Sequence, residues 1–177
     1  MRCGLVSVPL LALACGSGTT HLDPRLPDSL AAAPLVLVVL ESGGVTDWQK
    51  ERDQEIPDRL TTCLPQALAP VCPAQCEVRE ASGEETAGRV VLTVRTEYLA
   101  SAHFMHGYRI EVEYVMEDGA SKEKLAGFRY VDEPLSKVMA EEGSDMDEVL
   151  TAATALTAER FCEDVVNEAA AMPRTAD

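Results

Sequence analysis

Two stretches of this chain alternate almost residue by residue between apolar and polar side chains. In RVVLTVRTEYL (89–99), Val90, Leu92, Val94 and Tyr98 fall on one side and Arg89, Thr93, Arg95 and Glu97 on the other. In YRIEVEYVM (108–116), Tyr108, Ile110, Val112 and Tyr114 oppose Arg109, Glu111 and Glu113. A period of two is the signature of extended strands with one buried and one solvated face. EDGA (117–120) is a turn signal, and KLAGFRYV (124–131) is a third strand after it. The three strands predict an antiparallel meander covered on one side only.

The rest of the pattern says what covers it. PLVLVVLE (34–41) is apolar without a break, as in a strand buried on both faces. SGGVTD then interrupts the chain, and Leu60, Cys63, Leu64, Ala67 and Leu68 recur at helical spacing. Pro57 suits a first turn of that helix, whereas Pro65 should kink or split it. QCEVRE (75–80) is a short strand. A second helix starts near Ser144 or Asp145 and runs to about Ala171, with Ala158, Phe161, Cys162, Val165 and Ala169 along one stripe. The order β-α-β-β-β-β-α predicts an α+β fold: a two-layer sandwich with a mostly antiparallel sheet and two helices on one face. Residues 34–171 form this single domain and 172–177 a tail.

The chain has 177 residues and a formal net charge of -15, a sign that disfavours nucleic acid and anionic lipid headgroups as partners. Its start is of another kind. Met1-Arg2 is followed by CGLVSVPLLALA (3–14), uncharged and mostly apolar, the length of a secretory signal's core rather than of a membrane span. Ala12-Leu13-Ala14 is a small-x-small cleavage pattern. GSGTTHLDPRLPDSLAAAP (16–34) has no periodicity and reads as a tether, so residues 1–14 are a signal peptide and 15–33 an anchor and tether.

LALAC (11–15) resembles the lipobox of bacterial lipoproteins, with Ala12 where Leu is commonest. The resemblance implies that Cys15 carries a thioether-linked diacylglycerol and, after cleavage, an acyl chain such as palmitate on its amino group. Gly16, where Asp would retain the protein at the inner membrane, implies an outer-membrane lipoprotein facing the periplasm. Cysteine arithmetic agrees. Of Cys3, Cys15, Cys63, Cys72, Cys76 and Cys162, the first leaves with the signal. Lipidation of Cys15 then leaves four for two disulfides, whereas a plain secreted protein beginning at Cys15 would keep an odd thiol. Cys63 and Cys162 sit on core-facing stripes of the two helices, and Cys72 and Cys76 are close enough to close a small loop. Cys63 with Cys72 and Cys76 with Cys162 is an open alternative. A zinc site would use the same cysteines, but three residues separate Cys72 from Cys76 and oxidation competes.

The body also resembles the amino-terminal domain of TolB and the CsgG-like periplasmic lipoprotein families. The matching segments are PLVLVVLESGG, RLTTCLPQAL, RVVLTVRTEYL, YRIEVEYVMEDGAS and KLAGFRYV; the glycine usual in the third strand is missing. This resemblance implies an accessory or scaffold role in the cell envelope, acting through protein contacts and without catalysis. The partner would be an envelope protein, met on the charged face of Arg89, Arg95, Glu97, Arg109, Glu111 and Glu113 or on a sheet edge. Cross-strand charge pairing in solvent is the plainer reading of that face. The alternatives are a periplasmic module holding a small ligand or lipid between sheet and helices, and a secreted soluble domain.

Other motifs are weaker. His103 and His106, flanking Met105, sit in a strand-to-strand link where an exposed tip is the simpler reading than copper or zinc. EEGSDMDE (141–148) suits a helix amino terminus and lacks a calcium loop's spacing. No nucleophile elbow or phosphate-binding glycine loop occurs, and no cofactor, metal site or catalytic residue is assigned. Trp48, the only tryptophan, reads as a lid on a core edge.

Overall fold

The computed structural model describes residues 21–44, 46–72, 74–81, 86–100, 108–132 and 146–172, with the backbone alone at 48, 99–100, 108–109 and 146–155. The stretch expected as a signal peptide, Cys15, the histidines of the 101–107 link, residues 141–145 and the end of the tail lie outside the described residues.

The fold is α+β. Its elements run β1 (His21–Leu22), α1 (Leu26–Ala32), β2 (Leu35–Ser42), α2 (Asp47–Asp53), α3 (Glu55–Leu68), β3 (Glu77–Glu80), β4 (Val90–Ala100), β5 (Tyr108–Asp118), β6 (Lys124–Asp132) and α4 (Met146–Ala171). One six-stranded sheet has the order β1-β6-β5-β4-β2-β3. The β4-β5-β6 meander and the β1–β6 pair are antiparallel, while β2 runs parallel to both β3 and β4.

The near face of the sheet carries the core. Val36, Val38, Leu92, Val94, Val112, Tyr114 and Phe128 point to the helices and are almost wholly buried. Against them α3 sets Ile56, Leu60, Leu64 and Leu68, spaced four apart, and α4 sets Ala158, Phe161, Val165 and Ala169. Phe161 stacks on Tyr114 at 4.5 Å and meets Phe128 edge-on at 5.1 Å. Each such pair adds about 1 kcal/mol beyond its area. The two tyrosines here each bond a helix: Tyr114 with Thr157 at 2.7 Å, and Tyr130 to Asp164 at 2.6 Å. Burial raises both phenol pKa values well above the ordinary tyrosine range, and at Tyr130 the Asp164 carboxylate adds to the effect.

Three features differ from the sequence expectation. The stretch expected as a tether is structured from His21 onward. Leu22, Leu26 and Leu30 are buried at four-residue spacing, Pro27 falls in the first turn of α1, and β1 pairs with β6. Pro65 does not split its helix. It sits one turn from the end of α3, where its missing N–H costs a single internal bond, and the chain breaks instead at Gln54 between α2 and α3.

The third difference concerns the far face of the meander, which is not purely solvated. Val91 and Val115 point away from the helices yet are buried, next to Leu35 and Leu37 of β2, whose burial on that face agrees with the unbroken apolar run. The β2-to-β3 connection carries α2 and α3 over the near face, and the β3-to-β4 connection brings the chain back across β2 to β4. Its described end, Thr86–Arg89, lies at the foot of β5. A Cβ on Gly119 would stand 1.9 Å from the Thr86 carbonyl oxygen, and the Gly119 N–H donates to the Arg89 carbonyl at 2.7 Å.

Candidate functional site

Along β2 and β4 successive side chains alternate between the two faces, and at the upper end of the sheet each face carries a polar cluster. On the far face lies the row expected as a binding surface. The register sets Glu41 opposite Arg95, Arg95 opposite Glu113, and Glu113 opposite Arg129. Arg95 bonds Glu41 at 2.5 Å and lies 3.5 Å from Glu113. Arg129 reaches diagonally to Glu111, two residue pairs along and next on the same face. That contact answers the like-charge opposition of Glu97 and Glu111 across β4 and β5. The hydrogen bond from Arg95 to Glu41 holds the guanidinium's pKa above its already high ordinary value. Arg89 is exposed just before β4, outside this ladder, and the Arg109 side chain lies outside the described ones. The expected surface is therefore brought together in part, as four strands of alternating charge that pair among themselves.

On the near face the same strand ends meet α2. Thr46 opens α2, its N–H donating to the Gln49 side chain at 3.0 Å, and the helix delivers Asp53 at its last position. Asp53 is completely buried. Its carboxylate accepts hydrogen bonds from Thr96 at 2.6 Å, from Tyr98 at 2.7 Å and from Ser42. The hydroxyls are themselves acceptors: Gly43 N–H donates to Thr96 Oγ1 at 3.2 Å and Gly44 N–H to Ser42 Oγ at 3.1 Å. Gly43 has to be glycine on steric grounds, because a Cβ would stand 2.1 Å from the Thr96 carbonyl oxygen. The SGG break in the sequence is thus the point where β2, β4 and α2 are tied together.

The position of this knot is suggestive. It lies at the carboxyl end of β2 and against the later part of its parallel neighbour β4, the end of the strands at which open α/β sheets place ligands. Here the protein's own hydroxyls occupy it. Asp53 accepts from three of them, and no imidazole or amine is among the donors in these contacts. The arrangement fastens strands to helix, with Ser42, its exposed member, donating to the Asp53 carboxylate from the end of β2.

The cysteines pair as Cys63–Cys162 and Cys72–Cys76, with Cα separations of 6.1 and 6.2 Å. The first joins α3 to α4 across 99 residues of sequence. In the chain-entropy model such a closure is worth about 4 kcal/mol. The second closes the turn after α3, where the Cys72 N–H also bonds the Leu68 carbonyl at 2.9 Å. Among the described residues no group of three or more His, Cys, Asp or Glu side chains is disposed to hold a metal ion. Also among them, no helix is long and apolar enough to cross a membrane. Disulfides belong to oxidising compartments outside the cytosol, which sets this chain apart from an ordinary cytosolic protein.

No family model matches the chain, and no curated protein matches it. Solved structures do. A PelC variant dodecamer from Paraburkholderia phytofirmans is similar at 11% identity and TM-score 0.46, over 85% of this chain and 96% of that one. A second PelC dodecamer from the same organism gives 11% and 0.43, over 88% and 94%. A neuraminyllactose-binding hemagglutinin homologue from Helicobacter pylori gives 11% and 0.42, over 78% and 89%. At these TM-scores the likenesses carry no weight for what this chain does.

Proposed function

We propose that this is a lipid-anchored domain of a bacterial cell envelope, facing the periplasm from the outer membrane and acting through protein contacts rather than by catalysis. The observation that supports it is the cysteine pairing. Cys63, Cys162, Cys72 and Cys76 bond one another, so the body leaves Cys15 no partner among them. Cys15 then stands available for the modification that LALAC implies. Gly16 favours the outer membrane by the same resemblance. The self-paired charges of the far face suit a scaffold, because a partner with the complementary alternation can exchange those pairs for its own at little net electrostatic cost.

Intact mass tests this on protein extracted from the membranes of a bacterial host, before and after reduction and alkylation. The expected species starts at Cys15, carries diacylglycerol and an acyl chain, and takes up alkylating agent at four sites only after reduction. A lipid-free species from the soluble fraction would overturn the anchored reading in favour of a secreted domain with one unpaired thiol.

A further inference from the structure

The structure moves the first strand close to the anchor. Only Gly16–Thr20 separate Cys15 from His21, where β1 begins. Fully extended, those six Cα steps reach about 21 Å. The sheet is wider than that leash is long: β1 and β3 are its opposite edges, five strand spacings or about 24 Å apart. Resting on the lipid-anchor reading above, we infer that the anchored domain stands on its β1–β6 edge, which meets the lipid surface, while the β3 edge (Glu77–Glu80) is turned away and is the edge open to protein partners.

Local charge fits this orientation. The chain as a whole is at -15, and α3 and α4 carry Asp58, Glu159 and Glu163 exposed and Glu55 and Glu168 half-buried. An anionic bilayer repels that layer. Beside β1 the balance is different. Lys122 and Lys124, two exposed lysines, flank Glu123, and Arg25 pairs with both Asp23 and Glu123. Asp118 accepts the backbone N–H groups of Ala120 and Ser121. Asp28 and Glu117 add acid here, yet Arg25, Lys122 and Lys124 offset most of the local negative charge, so this foot meets less repulsion from headgroups than the helical layer.

The test compares two tryptophan reporters, Ala120→Trp at the β5–β6 turn and Glu77→Trp on β3, each with Trp48→Phe. Both sites are exposed, so both variants should keep the parent melting temperature. The membrane-extracted proteins are placed in vesicles containing a headgroup-labelled quencher lipid, after their masses are recorded. Quenching of the Ala120 reporter should be at least about twice that of the Glu77 reporter. A Gly/Ser spacer of about twelve residues after Gly18 should bring the ratio toward one, since its reach exceeds the width of the sheet. A ratio of one or less with the native leash would overturn the orientation, and a ratio unmoved by the spacer would overturn the leash as its cause. Mass separates the two proposals. If it shows no lipid, the anchored reading fails by itself, and the orientation is measured on the same variants with a maleimide lipid coupled to Cys15.

Discussion

Glu41 and Ser42 are neighbours in sequence, as are Arg95 and Thr96, yet each pair is divided between two polar clusters with opposite physics. Glu41 and Arg95 belong to the far-face ladder, where both side chains are about half exposed. Ser42 and Thr96 belong to the near-face knot, which holds one carboxylate with none of its surface in water. The exposed pairs of the ladder have little to lose, because water solvates whatever a broken pair leaves behind; the buried Glu111, paired with Arg129, is the exception. The knot has one charge and no such reserve. A buried carboxylate is tolerable only while its lone pairs are answered, and the hydroxyls around it need it as much as it needs them. The contrast ranks the two clusters by energy in the reverse of their conspicuousness in the sequence.

The largest effect should therefore come from Asp53→Ala. It strands the buried Thr96 and the half-buried Tyr98 hydroxyls and unfastens α2 from β2 and β4. The expected cost is about 3 kcal/mol, or a fall of about 10 °C in Tm. Thermal and urea unfolding of the oxidised protein measure it. A loss below about 1 kcal/mol would mean that water reaches the knot and that the contrast with the ladder fails.

Arg95→Ala is the matching change on the other face. It removes the contacts to Glu41 and Glu113, both partly exposed, and should cost no more than about 1 kcal/mol. The loss should also shrink when salt is raised toward about 1 M, where screening is nearly complete over these distances. A larger or salt-independent loss would put part of the ladder in the protein's interior electrostatics and erase the difference between the faces.

How far each cluster was legible follows from its chemistry. Alternation in 89–99 and 108–116 gave the strands, their pairing and the charged row, because a period of two is local and a charge is visible in it. The helical stripes of α3 and α4 were equally local, and the cysteines on them met. The knot was not read. Its members come from three elements, and contact between Ser42, Asp53 and Tyr98 is made by the crossover of β2 past α2, which no window of the sequence contains. One signal was present. Thr96 occupies an inward position in the series Val90, Leu92, Val94, Tyr98, and a hydroxyl there asks for a buried partner. The stretch from His21 to Ala32 was hidden differently. Pro24, Pro27 and the alanines have the composition of a linker, and the four-residue spacing of Leu22, Leu26 and Leu30 was the feature that outweighed it. The apolar foot of the far face was legible in part: Leu35 and Leu37 belong to the unbroken run expected to be buried on both sides, whereas Val91 and Val115 are single apolar residues on otherwise polar faces and carry no such signal.

The smallest effect sharpens the comparison at low pH. Asp23 lies at the exposed foot, where the hydrogen bond from the Arg25 side chain, followed by that from the Arg25 backbone N–H, lowers its pKa from the ordinary 3.8 to about 2. A depressed carboxyl pKa stabilises the fold above the unfolded value, and that contribution disappears as pH falls through the folded value. The difference in urea midpoint between the parent and Asp23→Asn should thus be full at neutral pH, decline from about pH 4 downward and vanish near pH 2. The parent's own contribution has by then been titrated away. Because Asp23 is solvated, the difference should be small at every pH, well under that of Asp53→Ala. A difference that persisted below pH 2 would show that the Asp23 side chain acts through packing or neutral hydrogen bonds. The foot would then behave like the knot rather than the ladder.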